Sequence, residues 1–196
     1  YMDPRNFLTE KYIFQFEALN YNELYTEDAV QTILNNTFME GNSNKDNQSY
    51  KSIFVEAGKT ANISPIYLAS LAKQESGTKG SIATTGETLE YEDKTYQSVF
   101  NFFNIRATGT NPQRQGMLWA GSLGSSAGQT SYGRPWNTPE KAIKGGAQFL
   151  ANDYISIGQD TLYFQKFAVS VSEGRYTHQY MQNVHFHQYN FCKGYL

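Results

Sequence analysis

The 196-residue sequence has one cysteine, Cys192. A lone thiol excludes an internal disulfide framework and is too little for a zinc–cysteine centre. Charge is also scarce: 16 Lys and Arg stand against 18 Asp and Glu, a net −2, and charged residues are 17% of the chain. That balance provides no electrostatic footprint for nucleic acid or for anionic lipid. No uninterrupted apolar run approaches the roughly 20 residues needed to span a bilayer. The sequence has no internal repeat, no proline- or glycine-rich linker, no P-loop and no nucleophile elbow. No basic, apolar leader precedes Tyr1 and Met2, so we expect a segment of a longer precursor.

Aromatic residues, by contrast, reach 15%, from 15 Tyr, 13 Phe and 2 Trp. Polarity comes mainly from Asn, Gln, Ser and Thr. Residues 1 to about 25 read as an extended arm on a single domain spanning the whole chain. Thr26 caps a first helix with Ala29, Val30, Ile33 and Leu34 on one face. A second helix is predicted from about Tyr50 to Gly58. The third has the sharpest start, Ser64 as N-cap and Pro65 at the first helical position, and Gly77 stops it. From about 81 to 133 helical periodicity disappears, and we expect a β-rich, mostly irregular lobe with one hairpin near Leu89–Tyr96. Helix resumes at Thr138-Pro139-Glu140 and closes at Gly158, followed by shorter stretches near Leu162–Phe167 and Tyr176–Val184. Helices, a small β lobe, then helices make an α+β pattern, and a cleft between the two parts is the default place for a site.

Glu75 is out of place in this pattern. It lies four residues after Leu71 and seven after Leu68, so it shares the buried face of the third helix. It also sits in the last turn, where the helix dipole disfavours an anion. Burial and dipole together raise a carboxyl pKa, as a general acid near neutral pH requires. The plain alternative is a frayed helix end with Glu75 in water.

The stretch Leu71-Ala72-Lys73-Gln74-Glu75-Ser76-Gly77 resembles the helix-ending Glu-Ser-Gly that carries the acid in lysozyme-like glycosidases acting on peptidoglycan. Other segments narrow the likeness to the glucosaminidase domain of clostridial and staphylococcal autolysins, glycoside hydrolase family 73. Tyr1-Met2-Asp3-Pro4-Arg5-Asn6-Phe7-Leu8 resembles the arm before that domain. Val99-Phe100-Asn101-Phe102-Phe103-Asn104-Ile105 is similar to its Tyr-Asn-(aromatic)-(aromatic)-Gly-Ile strand. Gln179-Tyr180-Met181-Gln182-Asn183 is similar to its Gln-Tyr-Met-Thr-Asn. Trp136-Asn137-Thr138-Pro139-Glu140-Lys141-Ala142-Ile143 follows its pattern before a long helix. The segments occur in the family's order across nearly the whole chain.

The resemblance implies a lysozyme-like fold, a mainly helical body with a small β-hairpin lobe flanking a cleft. It implies Glu75 as the acid that protonates the glycosidic oxygen. The implied substrate is the peptidoglycan glycan strand, cut at the β-1,4 bond on the reducing side of N-acetylglucosamine. An extracellular, wall-associated enzyme with further wall-binding modules, no cofactor, and neither nucleic acid nor membrane as partner is expected.

Glycoside hydrolysis usually needs a second carboxylate. Relatives place an Asp soon after the Gly-Ile strand, but this chain reads Arg106-Ala107-Thr108-Gly109, and no acid occurs from Lys94 to Pro139. Either Glu92 (or Glu90) swings in on the hairpin to activate water, or the substrate's own 2-acetamido group attacks the anomeric carbon. The second route needs no missing residue and is preferred. Tyr180 is the candidate to orient the acetamide. Asn101 and Phe103 are expected to line the cleft, with Gln179 beside Tyr180 and Tyr132 and Trp136 as rings for stacking on sugar. Alternatively, each of these aromatics is simply core.

His185-Phe186-His187 lacks a third ligand, so no metal site is expected. Asn35, Asn47 and Asn62 match a common glycosylation pattern, and Gly145-Gly146 indicates close helix packing. A muramidase, a lytic transglycosylase and a non-catalytic wall-binding module are the competing readings.

Overall fold

Side-chain caps start every α-helix longer than one turn in the computed structural model, which describes residues 5, 8–9, 12–43, 45–96, 98–169 and 176–179. Thr26 accepts from the Ala29 N–H to open α1, Glu27–Leu34, which buries Val30, Ile33 and Leu34. Ser49 opens α2, Tyr50–Ala61. This helix runs past Gly58 and ends at Asn62, in the left-handed region at φ 54°. Gly58 is no stop signal: a Cβ there would lie 2.6 Å from the Ile63 carbonyl oxygen, so glycine permits a close chain approach. Ser64 and Pro65 start α3, Pro65–Ser76, whose Tyr67, Leu68, Leu71 and Ala72 are completely buried.

The stretch 81–133 differs from the expected irregular, β-rich lobe. It holds a one-turn helix, α4, Ile82–Thr85, and a nine-residue helix, α5, Pro112–Ala120. Asn111 caps α5 and Pro112 occupies its first turn, the same start as Ser64-Pro65 and Thr138-Pro139. The only sheet among the described residues is the hairpin of β1, Leu89–Tyr91, and β2, Lys94–Tyr96, in the register Leu89↔Tyr96, Glu90↔Thr95, Tyr91↔Lys94. Glu92 and Asp93, its two-residue turn, both have positive φ, as right-handed strand twist favours in such loops. Arg134 anchors the segment after α5. It is 3% exposed, its Nη1 donates to the Trp119 carbonyl at 2.9 Å, and its guanidinium lies 3.9 Å above the Trp119 ring.

α6, Pro139–Asp153, packs along α2 and is followed by a short 3₁₀ turn, Ile155–Ile157, and by α7, Leu162–Phe167. Where a helix over 176–184 was expected, residues 176 and 177 form a turn and 180–184 lie outside the described residues. One core unites these elements. Phe102 stacks on Phe38 and Phe100, with centroids 6.2 Å apart in both cases, and α1, α2, α3 and α6 contribute the aliphatic part. The fold is thus mostly helical with a small two-stranded sheet. None of its helices is long and apolar enough to cross a membrane, among the described residues.

Candidate active site

α3 ends at Ser76, which is buried. Gly77, at φ 70°, turns the chain away, and Glu75 stands half-buried at the helix end. Facing it is the segment that follows the hairpin. That segment is tied into the body by the Phe100 N–H on the Trp136 carbonyl (2.9 Å) and the Asn101 N–H on the Ala83 carbonyl (2.7 Å). The Asn101 side chain then closes the loop on itself. Its amide donates to the Ile105 (2.9 Å) and Gly116 (3.1 Å) carbonyls and its oxygen accepts the Ile105 N–H (3.0 Å). The closed loop presents Asn104, whose Nδ2 donates to Glu75 Oε2 at 2.9 Å. Burial raises the Glu75 pKa, and the Asn104 hydrogen bond offsets part of that rise.

The space between these elements is a cleft of about 580 Å³. It is lined by Glu75 at the end of α3, by Phe103, Asn104 and Arg106 of the loop, by Phe149, Asp153 and Tyr154 at the end of α6, and by His178. Phe149 and Asp153 are four residues apart on α6, hence on one face. α6 can come this close because Gly145 and Gly146 lack side chains: a Cβ on Gly146 would strike the Phe103 ring, and one on Gly145 the Tyr132 carbonyl. Burial, with Asp153 as a lesser cause, pushes the Tyr154 pKa up to about 12, so Tyr154 is a neutral phenol at physiological pH. His178 stacks on Tyr154 with centroids 4.9 Å apart. Gln159 Nε2 donates to the His178 and Phe164 carbonyls. Its oxygen is therefore left to accept from His178 Nδ1 at 2.7 Å.

The other expected site residues are scattered. Phe103 forms the floor of the cleft, 2% exposed. Asn101 is 2% exposed and spends its amide on backbone groups, so it shapes the loop. Trp136 has no exposed surface and donates Nε1–H to the Tyr132 carbonyl at 2.8 Å, so it is core and not a stacking platform. Tyr132 is half-buried against Phe149, with centroids 5.3 Å apart. Glu92 is exposed at the hairpin tip and is not among the described residues of the Glu75 cleft. Gln179 is half-buried next to His178, and Tyr180 lies outside the described residues. Asp153, Tyr154, Arg106 and His178 were not anticipated. For Asp153 the clue was present: an acid in a last turn, on the face of a buried Phe, as with Glu75. Among the described residues no group of three or more His, Cys, Asp or Glu is arranged to hold a metal ion.

No family model matches the chain. It is 32% identical over 188 residues, 94% of its length, to a beta-N-acetylglucosaminidase of Bacillus subtilis, and spans 18% of that relative. The crystal structure of a major bifunctional autolysin superposes with a TM-score of 0.64 at 27% identity, covering 99% of this chain and 72% of that one. That of a catalytic Glu-to-Ala mutant of S. aureus autolysin E, in complex with the disaccharide NAG-NAM, superposes with a TM-score of 0.64 at 22% identity, covering 92% and 69%. The resemblance read from the sequence thus holds for homology and for the lysozyme-like fold.

Proposed function

We propose that this chain is a peptidoglycan endo-β-N-acetylglucosaminidase that cuts the β-1,4 bond between N-acetylglucosamine and N-acetylmuramic acid. The observation that carries the reading is Glu75: a half-buried carboxyl with a raised pKa, at a helix end in a 580 Å³ cleft. The B. subtilis relative's name and the NAG-NAM complex of autolysin E support the same chemistry. The same reading puts the activity outside the cell, at the wall, alongside wall-binding modules.

In this mechanism Glu75 gives its proton to the glycosidic oxygen as the bond from that oxygen to C1 breaks. The carbonyl oxygen of the substrate's 2-acetamido group forms a bond to C1 and bears the positive charge in a five-membered ring. Water then attacks C1, its proton returns to the Glu75 carboxylate, and the ring opens to a reducing N-acetylglucosamine. Tyr180 is the proposed group that orients the acetamide, and Phe103 the floor under the sugar. One observation favours a second reading: Asp153 lines the same cleft and has the chemistry to activate water directly.

Mass spectrometry of borohydride-reduced wall fragments tests the proposal. The expected product has reduced N-acetylglucosamine at its end. Reduced muramic acid or an anhydro end identifies a muramidase or a transglycosylase instead, and an undigested wall a binding module.

A further inference from the structure

The carboxyl of Glu75 has one side-chain hydrogen-bond partner among the described residues, and it comes from the opposite wall. Asn104 Nδ2 donates to Oε2 at 2.9 Å and approaches the Glu75 carbonyl oxygen at 3.4 Å, so one amide ties the last turn of α3 to the loop. The backbone there does not call for this side chain. Asn104 has φ 49° and Arg106 φ 59°, a region where glycine sits without strain and few other residues are tolerated, asparagine best among them. The motif that this strand resembles has glycine at this place. Asparagine keeps the left-handed turn and adds a donor aimed at the acid.

Resting on the reading of Glu75 as the acid, we propose that Asn104 is a positioning residue for it. Its amide fixes Oε2, so the proton given to the glycosidic oxygen is carried on Oε1. An amide nitrogen donates and does not accept, so the oxygen facing it must offer a lone pair and the acid hydrogen belongs to the other oxygen. The three bonds made by Asn101 hold the loop, so the amide cannot follow the carboxyl if it turns. Hydrogen bonding to the ionised form also counters burial, which keeps the acid able to release its proton as well as hold it.

Among the described residues, the other charged or titratable groups lining the cleft with Glu75 are Arg106 on the loop of Asn104, Asp153 and Tyr154 at the end of α6, and His178. Lys73, on α3 itself, is engaged with the Ile33 carbonyl at 2.8 Å. All of these are common to the wild type and the variants below, so a difference between profiles reports Asn104.

The test is the pH profile of kcat/KM for Asn104→Gly, which retains the left-handed turn, and Asn104→Asp, which retains the shape. In Asn104→Gly the basic limb moves to higher pH. The acid is also less well aimed, and kcat falls roughly tenfold, against the ~100-fold that a 1 Å misplacement can cost. In Asn104→Asp the limb moves further up, because a second carboxylate beside Glu75 disfavours its ionisation. A wild-type limb and kcat in both variants, or a downward shift, overturns the inference. A melting curve establishes that each variant is folded, and Asn104→Asp carries the test alone if Asn104→Gly is not. Failure of the acid assignment is separately visible, as full activity in Glu75→Gln.

Discussion

Glu75 and Asp153 each occupy the last turn of a helix, while Asn104 and Arg106, also lining the cleft, sit in a loop with positive φ at both residues. The helical wall owes its geometry to burial: Leu68, Leu71 and Ala72 seat α3, and Gly145 and Gly146 let α6 close on Phe103. The loop wall owes its geometry to one buried side chain, Asn101, and its hydrogen bonds. Regular packing holds the acid half-buried against the helix dipole, and irregular structure supplies the donor that moderates it. Each wall can therefore be broken by a different kind of substitution.

The largest expected effect lies on the helical wall. Glu75→Gln removes the acid and lowers kcat about 10²- to 10⁴-fold, read from release of reducing ends, while substrate binding persists. On the loop wall, Asn101→Ala strands the Ile105 and Gly116 carbonyls and the Ile105 N–H. We expect a loss of about 1–3 kcal/mol in urea unfolding, with activity falling as Asn104 loses its support. Asp153→Asn sharpens the comparison between the two helix ends. If the acetamide is the nucleophile, the variant keeps kcat within about tenfold of wild type, whereas removing a general base costs about 10²-fold or more.

The smallest effect is on stability. Because burial raises the pKa of Glu75, the folded chain binds its proton more tightly than the unfolded chain does. Stability is therefore lost as pH rises from the unfolded value, about 4.3, through the raised folded one. Glu75→Gln escapes that loss, so it melts above the wild type at neutral pH, and the gap closes below the unfolded value.

Much of the helical wall was legible in the sequence because its signals are local. Ser64-Pro65, Thr138-Pro139 and Thr26 mark helix starts at the observed residues, and the position of Glu75 follows from its spacing to Leu68 and Leu71. The hairpin was legible too, since alternating residues and a polar tip suffice to define it. The loop wall was not. Trp136 and Asn101 owe their burial to partners in neighbouring elements, Gly145 on α6 for the ring and Gly116 on α5 for the amide, and no period in the sequence encodes such a meeting. α5 was missed although Asn111-Pro112 repeats a start signal used twice elsewhere, because glycines and aromatics around it mask a weak apolar face. Asp153 is not legible as a partner of Glu75 because it lies far along the sequence, and only the packing of α6 brings it to the cleft.

The most direct measurement follows the Glu75 carboxyl itself. A ¹³C NMR titration, with its signal identified by loss in Glu75→Gln, should give a pKa above the usual carboxyl range that coincides with the basic limb of kcat/KM. An ordinary carboxyl value, or a limb that does not track this titration, would contradict Glu75 as the buried general acid.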